Sequence, residues 1–169
     1  MADLLVKLYE IPPAQPDIDA LAKKNIVIRR PIGPENWGVI AWIKEHFDAG
    51  WASEAENAFF RSPKSIYIAI RENKDENGYI TPEMLGFACY DATAKGFFGP
   101  TGVAKEERGQ GIGAALLLSC LHAMRDEGYG YAIIGGVGPA DFYSKICGAT
   151  MIENVGRGIY KNMLRAKSE

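Results

Sequence analysis

The most informative segment of the chain reads Val103-Ala104-Lys105-Glu106-Glu107-Arg108-Gly109-Gln110-Gly111-Ile112-Gly113-Ala114-Ala115-Leu116-Leu117. A predicted strand over residues 97–103 leads into it, and a long apolar helix is predicted to follow. The alternating glycines carry no Cβ, so successive backbone N–H groups can converge on an anion where the chain turns. The helix adds its unpaired N–H groups and the positive end of its dipole, and Arg108 adds a planar cation. The pattern predicts a cradle for a diphosphate.

Known phosphate-binding segments differ in spacing, and the spacing here separates them. A P-loop needs a lysine and a hydroxyl residue after its last glycine, and neither follows Gly113. A dinucleotide-binding motif built on Gly109, Gly111 and Ala114 would start too far from the strand, and the next strand ends without an acidic residue. A glycine-rich turn that binds nothing stays open, since short glycine motifs are weak signals. The remaining pattern, R-x-x-G-x-G from Arg108, resembles the acetyl-coenzyme A signature of the GNAT N-acetyltransferases.

The resemblance covers residues 26–163 and implies both a fold and a cofactor. The implied fold is α/β (α+β) with a central mixed, mostly antiparallel sheet flanked by helices, the GNAT fold. The strands that end at Val103 and begin at Tyr131 would be parallel neighbours that splay apart, with the pantetheine arm between them. By the same resemblance the cofactor is acetyl-coenzyme A, bound by Thr101, Gly102, Val103, Arg108, Gly109, Gln110, Gly111, Ile112, Gly113, Ala114 and Tyr143.

Composition and charge argue against several other classes of protein. The chain has 169 residues, a formal net charge of −2 and a pI of about 5.8, so no basic face for nucleic acid is expected. No apolar run reaches membrane-spanning length, and the N-terminus lacks the basic region of a signal peptide. Three cysteines at unrelated spacings predict free thiols and a reducing compartment, most simply the cytoplasm. The two histidines, His46 and His122, form no metal constellation, so no metal site is expected.

The domain organisation is predicted from the two ends of the chain. Residues 1–25 are interpreted as an N-terminal arm, whose apolar run over residues 4–10 is either a short edge strand or an arm, and residues 26–169 as the acetyltransferase-like domain. Near the other end, residues 150–153 and 158–163 are predicted to form a terminal hairpin.

Three local patterns predict details of the central elements. Ser53 and Glu56 form a capping-box pattern that would start the second main helix. Pro100 cannot donate to a sheet ladder, so a bulge or a missing partner is expected in its strand. Apolar residues at helical spacing predict the buried stripe of the first main helix: Trp37, Ile40, Ile43 and Phe47.

Tyr143 is the residue to which the resemblance assigns catalysis. The run Phe142-Tyr143-Ser144-Lys145 resembles the family's FYxK segment, which implies that Tyr143 lies near the coenzyme A sulfur and protonates the departing thiolate. A phenol has a pKa near ~10 and a thiol near ~8.5, so this transfer is uphill, and we expect the helix dipole to assist it. A core tyrosine with a satisfied hydroxyl is the alternative. The family often carries an asparagine just before this helix, where this chain has Gly138-Pro139-Ala140.

The general base has weaker signals in the sequence. A free amine has a pKa near ~10, and near pH ~7 a carboxylate usually accepts its proton. The strand that ends in the motif contains no acid, so the candidates are Asp91, after the neighbouring strand, and Glu54, near the break between the first two main helices. Asp48 and Glu56 lie in the same region. Each of these carboxylates could instead be a solvated residue or a helix cap.

These observations predict an acetyl-coenzyme A-dependent N-acetyltransferase that acts on a primary amine of a small molecule by direct attack in a ternary complex. A covalent route through Cys89, Cys120 or Cys147 is disfavoured, because no neighbouring histidine or lysine would lower the thiol pKa. A non-catalytic acyl-coenzyme A-binding or sensor module of the same fold is the alternative. The expected partner is the amine, without nucleic acid or membrane, and the sequence is compatible with a homodimer.

Overall fold

The computed structural model describes residues 2–165, which form seven strands and five α-helices. The strands are β1 (Ala2–Lys7), β2 (Ile26–Arg29), β3 (Ile66–Lys74), β4 (Ile80–Tyr90), β5 (Phe97–Val103), β6 (Tyr131–Val137) and β7 (Thr150–Ile152). The α-helices are α1 (Gln15–Ala22), α2 (Asn36–His46), α3 (Ala49–Phe59), α4 (Ile112–Asp126) and α5 (Ala140–Cys147). Short 3-10 turns span Leu8–Glu10, Gly33–Glu35, Lys105–Glu107 and Gly158–Tyr160.

The strands form one sheet in the order β2-β3-β4-β5-β6-β1-β7, with helices on both faces. Among the strands of residues 2–165, β5 and β6 run parallel, and the other neighbouring pairs are antiparallel. In β3, Ile66, Ile68 and Ile70 pack toward α2 and α3, whereas Ala69 packs toward α4, as the two-residue period of a strand requires. The predicted class, a mixed and mostly antiparallel sheet flanked by helices, is confirmed. Among residues 2–165, no helix combines the length and the apolar character that crossing a membrane would need.

The two parallel strands are neighbours only at their starts. Within the described chain, β5 and β6 pair at Phe97 with Ile133 and at Phe98 with Ile134, and nowhere beyond. On its other side β5 pairs with β4, and the register shifts between the pairs Ala88–Thr101 and Tyr90–Phe98. This irregularity lies at Pro100 and confirms the predicted bulge. The later parts of β5 and β6 therefore leave unpaired backbone edges that face each other across a cleft.

β1 is an interior strand of the sheet, so the predicted edge position is wrong. It pairs with β6 on one side and with β7 on the other. The physical reason is burial: Leu4, Val6 and Leu8 are at most 2% exposed and belong to the main core. Whether residues 1–25 and 26–169 behave as separate units stays a prediction, and Met1 and residues 166–169 lie outside the described residues.

The predicted terminal hairpin forms only in part. β7 is present, but its expected partner is not a strand, because Gly158–Tyr160 forms a 3-10 turn. The antiparallel neighbour of β7 is β1, which supplies the hydrogen bonds that the hairpin would have supplied.

The helices α2 and α3 differ from prediction at two points. Trp37 is 76% exposed, and the buried apolar residues of α2 are Val39 and Ile43. α3 begins at Ala49, because Asp48 caps it by accepting a hydrogen bond from the N–H of Trp51 at 2.8 Å. The predicted capping box is therefore wrong, since Ser53 and Glu56 both lie inside the helix.

The break between α2 and α3 is fixed to the sheet through Phe47. A Cβ built on Gly102 of β5 would lie 2.3 Å from Cζ of the Phe47 ring, so the ring lies directly against the strand backbone. The same ring packs with Trp51 and Phe87 at centroid distances of 5.0 and 5.8 Å. The contact requires glycine at position 102, because any side chain would displace the ring.

Gly102→Ala should lower the stability of the protein. The added methyl group would overlap a ring held by two other aromatic side chains, and overpacking of this kind costs about 1–3 kcal/mol. Scanning calorimetry should show a melting temperature several degrees lower. Gly38→Ala is the matched control, since Gly38 is an exposed residue of α2 whose Cβ would meet no atom within 4 Å. The control should gain about 0.5–1 kcal/mol, and equal melting temperatures for both variants would contradict the described contact.

Candidate active site

The cleft between β5 and β6 opens onto the N-terminus of α4. Gly111 is the N-cap residue, with a φ of 89°, and it offers no side chain to the helix end. The first backbone bond of the helix runs from the N–H of Ala115 to the carbonyl of Gly111 at 3.1 Å, so the N–H groups of the first turn before it lack helical acceptors. A Cβ built on Gly109 or Gly111 would meet no atom within 4 Å. The space in front of these N–H groups is therefore open to an anion.

The other predicted cofactor residues lie along the cleft or at its mouth. The Thr101 hydroxyl donates to the carbonyl of Phe87 at 3.1 Å, so its hydrogen is already used, and Gly102 faces Phe47. Arg108 donates from Nε to the carbonyl of Val103 at 3.1 Å, which holds the guanidinium beside the end of β5. The set predicted from the sequence also includes Gln110, Ile112, Gly113 and Ala114, which the structure brings together at the start of α4.

An ion pair holds the loop between β5 and α4. Arg71 of β3 donates to both carboxylate oxygens of Glu107, at 2.8 and 2.6 Å, and Gln110 donates to the same carboxylate at 2.7 Å. The hydrogen bonds from Arg71 keep the pKa of Glu107 below its ordinary value. Such two-point pairs fix orientation as well as distance, so the pair positions Arg108 and the glycines that follow. Sequence reasoning missed Arg71, because its partner lies 36 residues away and no local pattern links them.

Tyr143 lies in α5 and packs beside the point where β5 and β6 part. Its ring contacts Phe98 and Phe142, with centroid distances of 6.2 and 5.1 Å. Burial raises the pKa of Tyr143 to about 12. The expected assistance from the helix dipole is therefore outweighed by desolvation, since a buried phenolate is costly. At neutral pH the hydroxyl holds its proton and is a hydrogen-bond donor.

Glu54 belongs to a second group of polar side chains, on the other face of the sheet. The Thr93 hydroxyl donates to Oε1 of Glu54 at 2.5 Å. Burial raises the pKa of Glu54 above its ordinary value, and the nearby Asp48 adds to the shift. The hydroxyl of Tyr160 lies 3.1 Å from the position a Cβ would take on Gly135 of β6. Sequence reasoning missed Thr93 and Tyr160, and Tyr160 fell in a segment predicted to be a strand.

Asp91 has a complete set of structural contacts. It accepts hydrogen bonds from the N–H of Gly96 at 2.7 Å and from the Tyr129 hydroxyl at 2.8 Å, and its carboxylate lies 3.7 Å from the Arg61 guanidinium. These contacts stabilise the turn between β4 and β5, where Asp91 has a φ of 53°. Among the carboxylates singled out from the sequence, Glu54 is therefore the better candidate for a base.

The cysteines are poorly suited to nucleophilic chemistry. Cys89, Cys120 and Cys147 are free and buried, and burial raises the pKa of each thiol, for Cys147 to about 11. A thiol with a raised pKa carries little thiolate at neutral pH. Among the described residues, no group of three or more histidine, cysteine or carboxylate side chains comes together as a metal site.

The geometry fits a long ligand with an anionic end. An anion can occupy the open space at Gly109 and Gly111, and an extended arm can pair with the unpaired edges of β5 and β6. Tyr143 lies on one side of the parting point, and Tyr160, with Thr93 and Glu54 behind it, lies on the other. Coenzyme A has this shape, so the residues present fit the cofactor that the sequence resemblance implies.

Comparison with known proteins agrees with this architecture. A model of the acetyltransferase (GNAT) family matches residues 36–149. Among solved structures, the chain is similar to a GCN5-related glucosamine N-acetyltransferase region of a fungal multi-domain β-N-acetylglucosaminidase, with a TM-score of 0.67 and 19% identity over 89% of this chain and 19% of that one. It is also similar to a GCN5-related N-acetyltransferase from Sphaerobacter thermophilus, with a TM-score of 0.58 and 20% identity over 89% of this chain and 48% of that one.

The chain thus spans about a fifth and about half of the length of these two structures. At such identities the likeness establishes the fold, which is the predicted GNAT fold. A search of curated proteins finds no match.

Glu107→Gln should destabilise the protein in a pH-dependent way. The carboxylate has a depressed pKa in the folded state, so its contribution is present above the unfolded pKa of ~4.3 and is lost as the pH falls through the folded pKa. Urea unfolding at pH 7 should show a loss of about 1 kcal/mol or more, and the difference from the parent should shrink toward pH 3. Glu10→Gln is the control, because its pair with Lys7 is about half exposed and should contribute less than about 0.5 kcal/mol. A loss that is the same at both pH values would contradict the role of the ion pair.

Proposed function

The chain belongs to the GNAT acetyltransferase family, and on that premise we propose that it is an acetyl-coenzyme A-dependent N-acetyltransferase. The acceptor is a primary amine of a small molecule, which attacks the thioester directly in a ternary complex. The proposal rests on one observation: the parting point of β5 and β6 lies between Tyr143 on one face and the group of Tyr160, Thr93 and Glu54 on the other. The anion cradle lies at the far end of β5. The five residue steps of strand from Phe98 to Val103 span about 17 Å.

The protein's own contribution to binding is divided between backbone and side chains. The N–H groups at Gly111 and the start of α4, with the Arg108 guanidinium, would hold the diphosphate through charge-assisted hydrogen bonds. The unpaired edges of β5 and β6 would hold the pantetheine arm. When bound, acetyl-coenzyme A supplies an acetyl group as a thioester, whose carbonyl carbon an amine can attack. Holding two reactants in this way removes much of the entropic barrier to their reaction.

Tyr143 contributes by hydrogen bonding. With a pKa of about 12, full transfer of its proton to a thiolate whose thiol has a pKa of ~8.5 is uphill by ~3.5 units, or about 5 kcal/mol. A hydrogen bond from the hydroxyl does not require that transfer, and it strengthens as negative charge develops on the sulfur. Such a bond stabilises the transition state more than the ground state, which raises turnover.

Glu54 is the base in this proposal. A base is most effective when its pKa lies near the working pH, and burial moves the pKa of Glu54 in that direction. Glu54 is partly buried and has no cation beside it among the described residues, so its charge is costly to keep and a proton from an incoming ammonium would relieve that cost. The cysteine route is not part of the proposal, because all three thiols are buried.

The function can be tested by measuring thiol release with a panel of amines. Native mass spectrometry of the purified protein should first detect bound coenzyme A or acetyl-coenzyme A. The panel should cover diamines, aromatic amines, amino acids and amino sugars; glucosamine belongs in it because one structural neighbour is described as acting on that compound. Release of thiol with at least one amine supports the proposal. A protein that binds acetyl-coenzyme A but acetylates no amine would be the alternative, a non-catalytic acyl-coenzyme A-binding module.

Arg108→Ala should weaken coenzyme A binding by about one to two decades. A charge-assisted hydrogen bond contributes ~1.5–3 kcal/mol, and Arg108 would supply such a bond to the diphosphate. Gly111→Val should weaken coenzyme A binding more than Arg108→Ala does. The valine side chain would occupy the open space of the cradle, and valine disfavours a φ of 89°. Titration calorimetry measures both affinities, and desulfo-coenzyme A should bind nearly as well as coenzyme A. Unchanged affinity in both variants would exclude the cradle.

Tyr143→Phe should lower turnover by about 10²-fold while the affinity for acetyl-coenzyme A changes little. The substitution keeps the ring that packs on Phe98 and removes only the hydroxyl, which acts in the transition state. Steady-state kinetics with the best amine of the panel would separate kcat from KM. If the variant instead melts at a lower temperature and keeps its turnover per folded molecule, the hydroxyl is a structural anchor and the catalytic assignment is wrong.

A further inference from the structure

A cavity of about 360 Å³ lies between α1, α4 and the strands β2 and β3. Three aliphatic side chains form its apolar wall: Ile18 of α1, Ile28 of β2 and Ala123 of α4. In the sheet, β4 separates β3 from β5, so the cavity is a different place from the cleft between β5 and β6. Small-molecule sites span ~300–1,000 Å³, and a cavity at the lower end of that range suits a ligand the size of an amino acid.

Arg30, directly after β2, brings a positive charge to this cavity. Its Nη1 donates to the carbonyl of Lys64 and, at 3.0 Å, to the Tyr90 hydroxyl. Both bonds come from Nη1, which leaves the N–H groups of Nε and Nη2 for a ligand. The guanidinium lies 4.8 Å from the ring centroid of Tyr67, and this stacking fixes its plane. Among residues 2–165, no carboxylate forms an ion pair with Arg30.

Glu127 brings a negative charge to the same cavity from the end of α4. Its Oε2 accepts a hydrogen bond from the Tyr90 hydroxyl, and Oε1 is left for another donor. Burial raises the pKa of Tyr90, so the hydroxyl keeps its proton and continues to donate it. Asp126 also lines the cavity, and the negative end of the α4 dipole adds to the attraction for a cation. A single hydroxyl group therefore separates the cationic and the anionic side of the cavity.

From this arrangement we infer that the cavity binds a small zwitterion, an α-amino acid with an apolar side chain. The carboxylate of the ligand pairs with the planar fork of Arg30, which suits a carboxylate geometrically. The ammonium group pairs with Glu127, and the side chain lies against the aliphatic wall. A ligand with one charge would leave either Arg30 or Glu127 without a partner. The site is separate from the cleft, so the inference does not depend on the proposed function.

A purely structural role for the same residues makes a different prediction. The bonds from Arg30 to Tyr90 and from Tyr90 to Glu127 join the end of β2, the end of β4 and the end of α4. If the three residues only brace these elements, their substitution changes the melting temperature and no amino acid binds. A binding site requires that the ligand respond to each charge separately.

The first test is an NMR titration of the isotope-labelled protein with L-leucine. Two matched compounds are L-leucinamide, which lacks the carboxylate, and 4-methylpentanoate, which lacks the ammonium group. L-Leucine should saturate the protein and shift the amide signals of Ile28 and Ala123, and each matched compound should bind about 10-fold more weakly. No saturation up to about 10 mM, or equal affinity for all three compounds, would overturn the inference. Shifts confined to Gly111 and Gly135 would also overturn it, because they would place leucine in the cleft.

The second test assigns each charge of the ligand to its residue by calorimetry. Glu127→Gln keeps an oxygen that can accept from Tyr90, and it should weaken L-leucine about 10-fold without weakening 4-methylpentanoate. Arg30→Lys keeps the charge but loses the planar fork, so it should weaken both compounds. Glu45→Gln, at an exposed position of α2, is the matched control and should change neither affinity. If Glu127→Gln lowers only the melting temperature and leaves L-leucine affinity intact, the residues are a brace and the inference is wrong. None of these measurements involves acetyl transfer, so their failure leaves the proposed function unaffected.

Discussion

In the described part of the chain two residue pairs hold β5 and β6 together, and the rest of the site depends on this short pairing. Had the strands continued to pair beyond Phe98 and Ile134, their edges would have satisfied each other, and no cleft would exist. The separation leaves polar backbone groups that need a partner, and it places the start of α4 at the open end. A ligand bound there completes the hydrogen bonding that the sheet leaves undone.

Strands that part in mid-sheet need support on their outer sides. β6 receives it from β1, which pairs along most of its length from Tyr131 to Val137. β5 receives support from β4 and from the ring of Phe47, which packs against Gly102. The Arg71–Glu107 pair then holds the loop where β5 turns into α4. β1 and β4 pair with the edges of β6 and β5 that face away from the cleft, so the cleft can stay open without a collapse of the sheet.

Sequence reasoning succeeded where chemistry is local and failed where it depends on distant residues. The glycine turn, α4 and the bulge at Pro100 are encoded within a few residues, and all three were predicted.

The interior position of β1 was not predicted, because an apolar run has the same pattern at an edge as between two partners. The capping box at Ser53 failed because Asp48 offers an earlier cap. Thr93 and Tyr160 were missed because they meet Glu54 only through the fold. Asp91 was a reasonable candidate by position, but contacts from three other segments use its carboxylate.

The interior position of β1 also constrains how the chain can fold. Val6 pairs with Ala132, and Leu4 pairs with Met151, so strands from opposite ends of the chain must meet before this half of the sheet is complete. Contacts so distant in sequence are slow to form, because the entropy of closing the intervening loop opposes them. Until they form, β6 exposes an unpaired edge and the core lacks Leu4, Val6 and Leu8. β1 is the first strand to be synthesised, yet it cannot take its place until β6 and β7 exist, so the cleft between β5 and β6 is among the last parts of the molecule to acquire its shape.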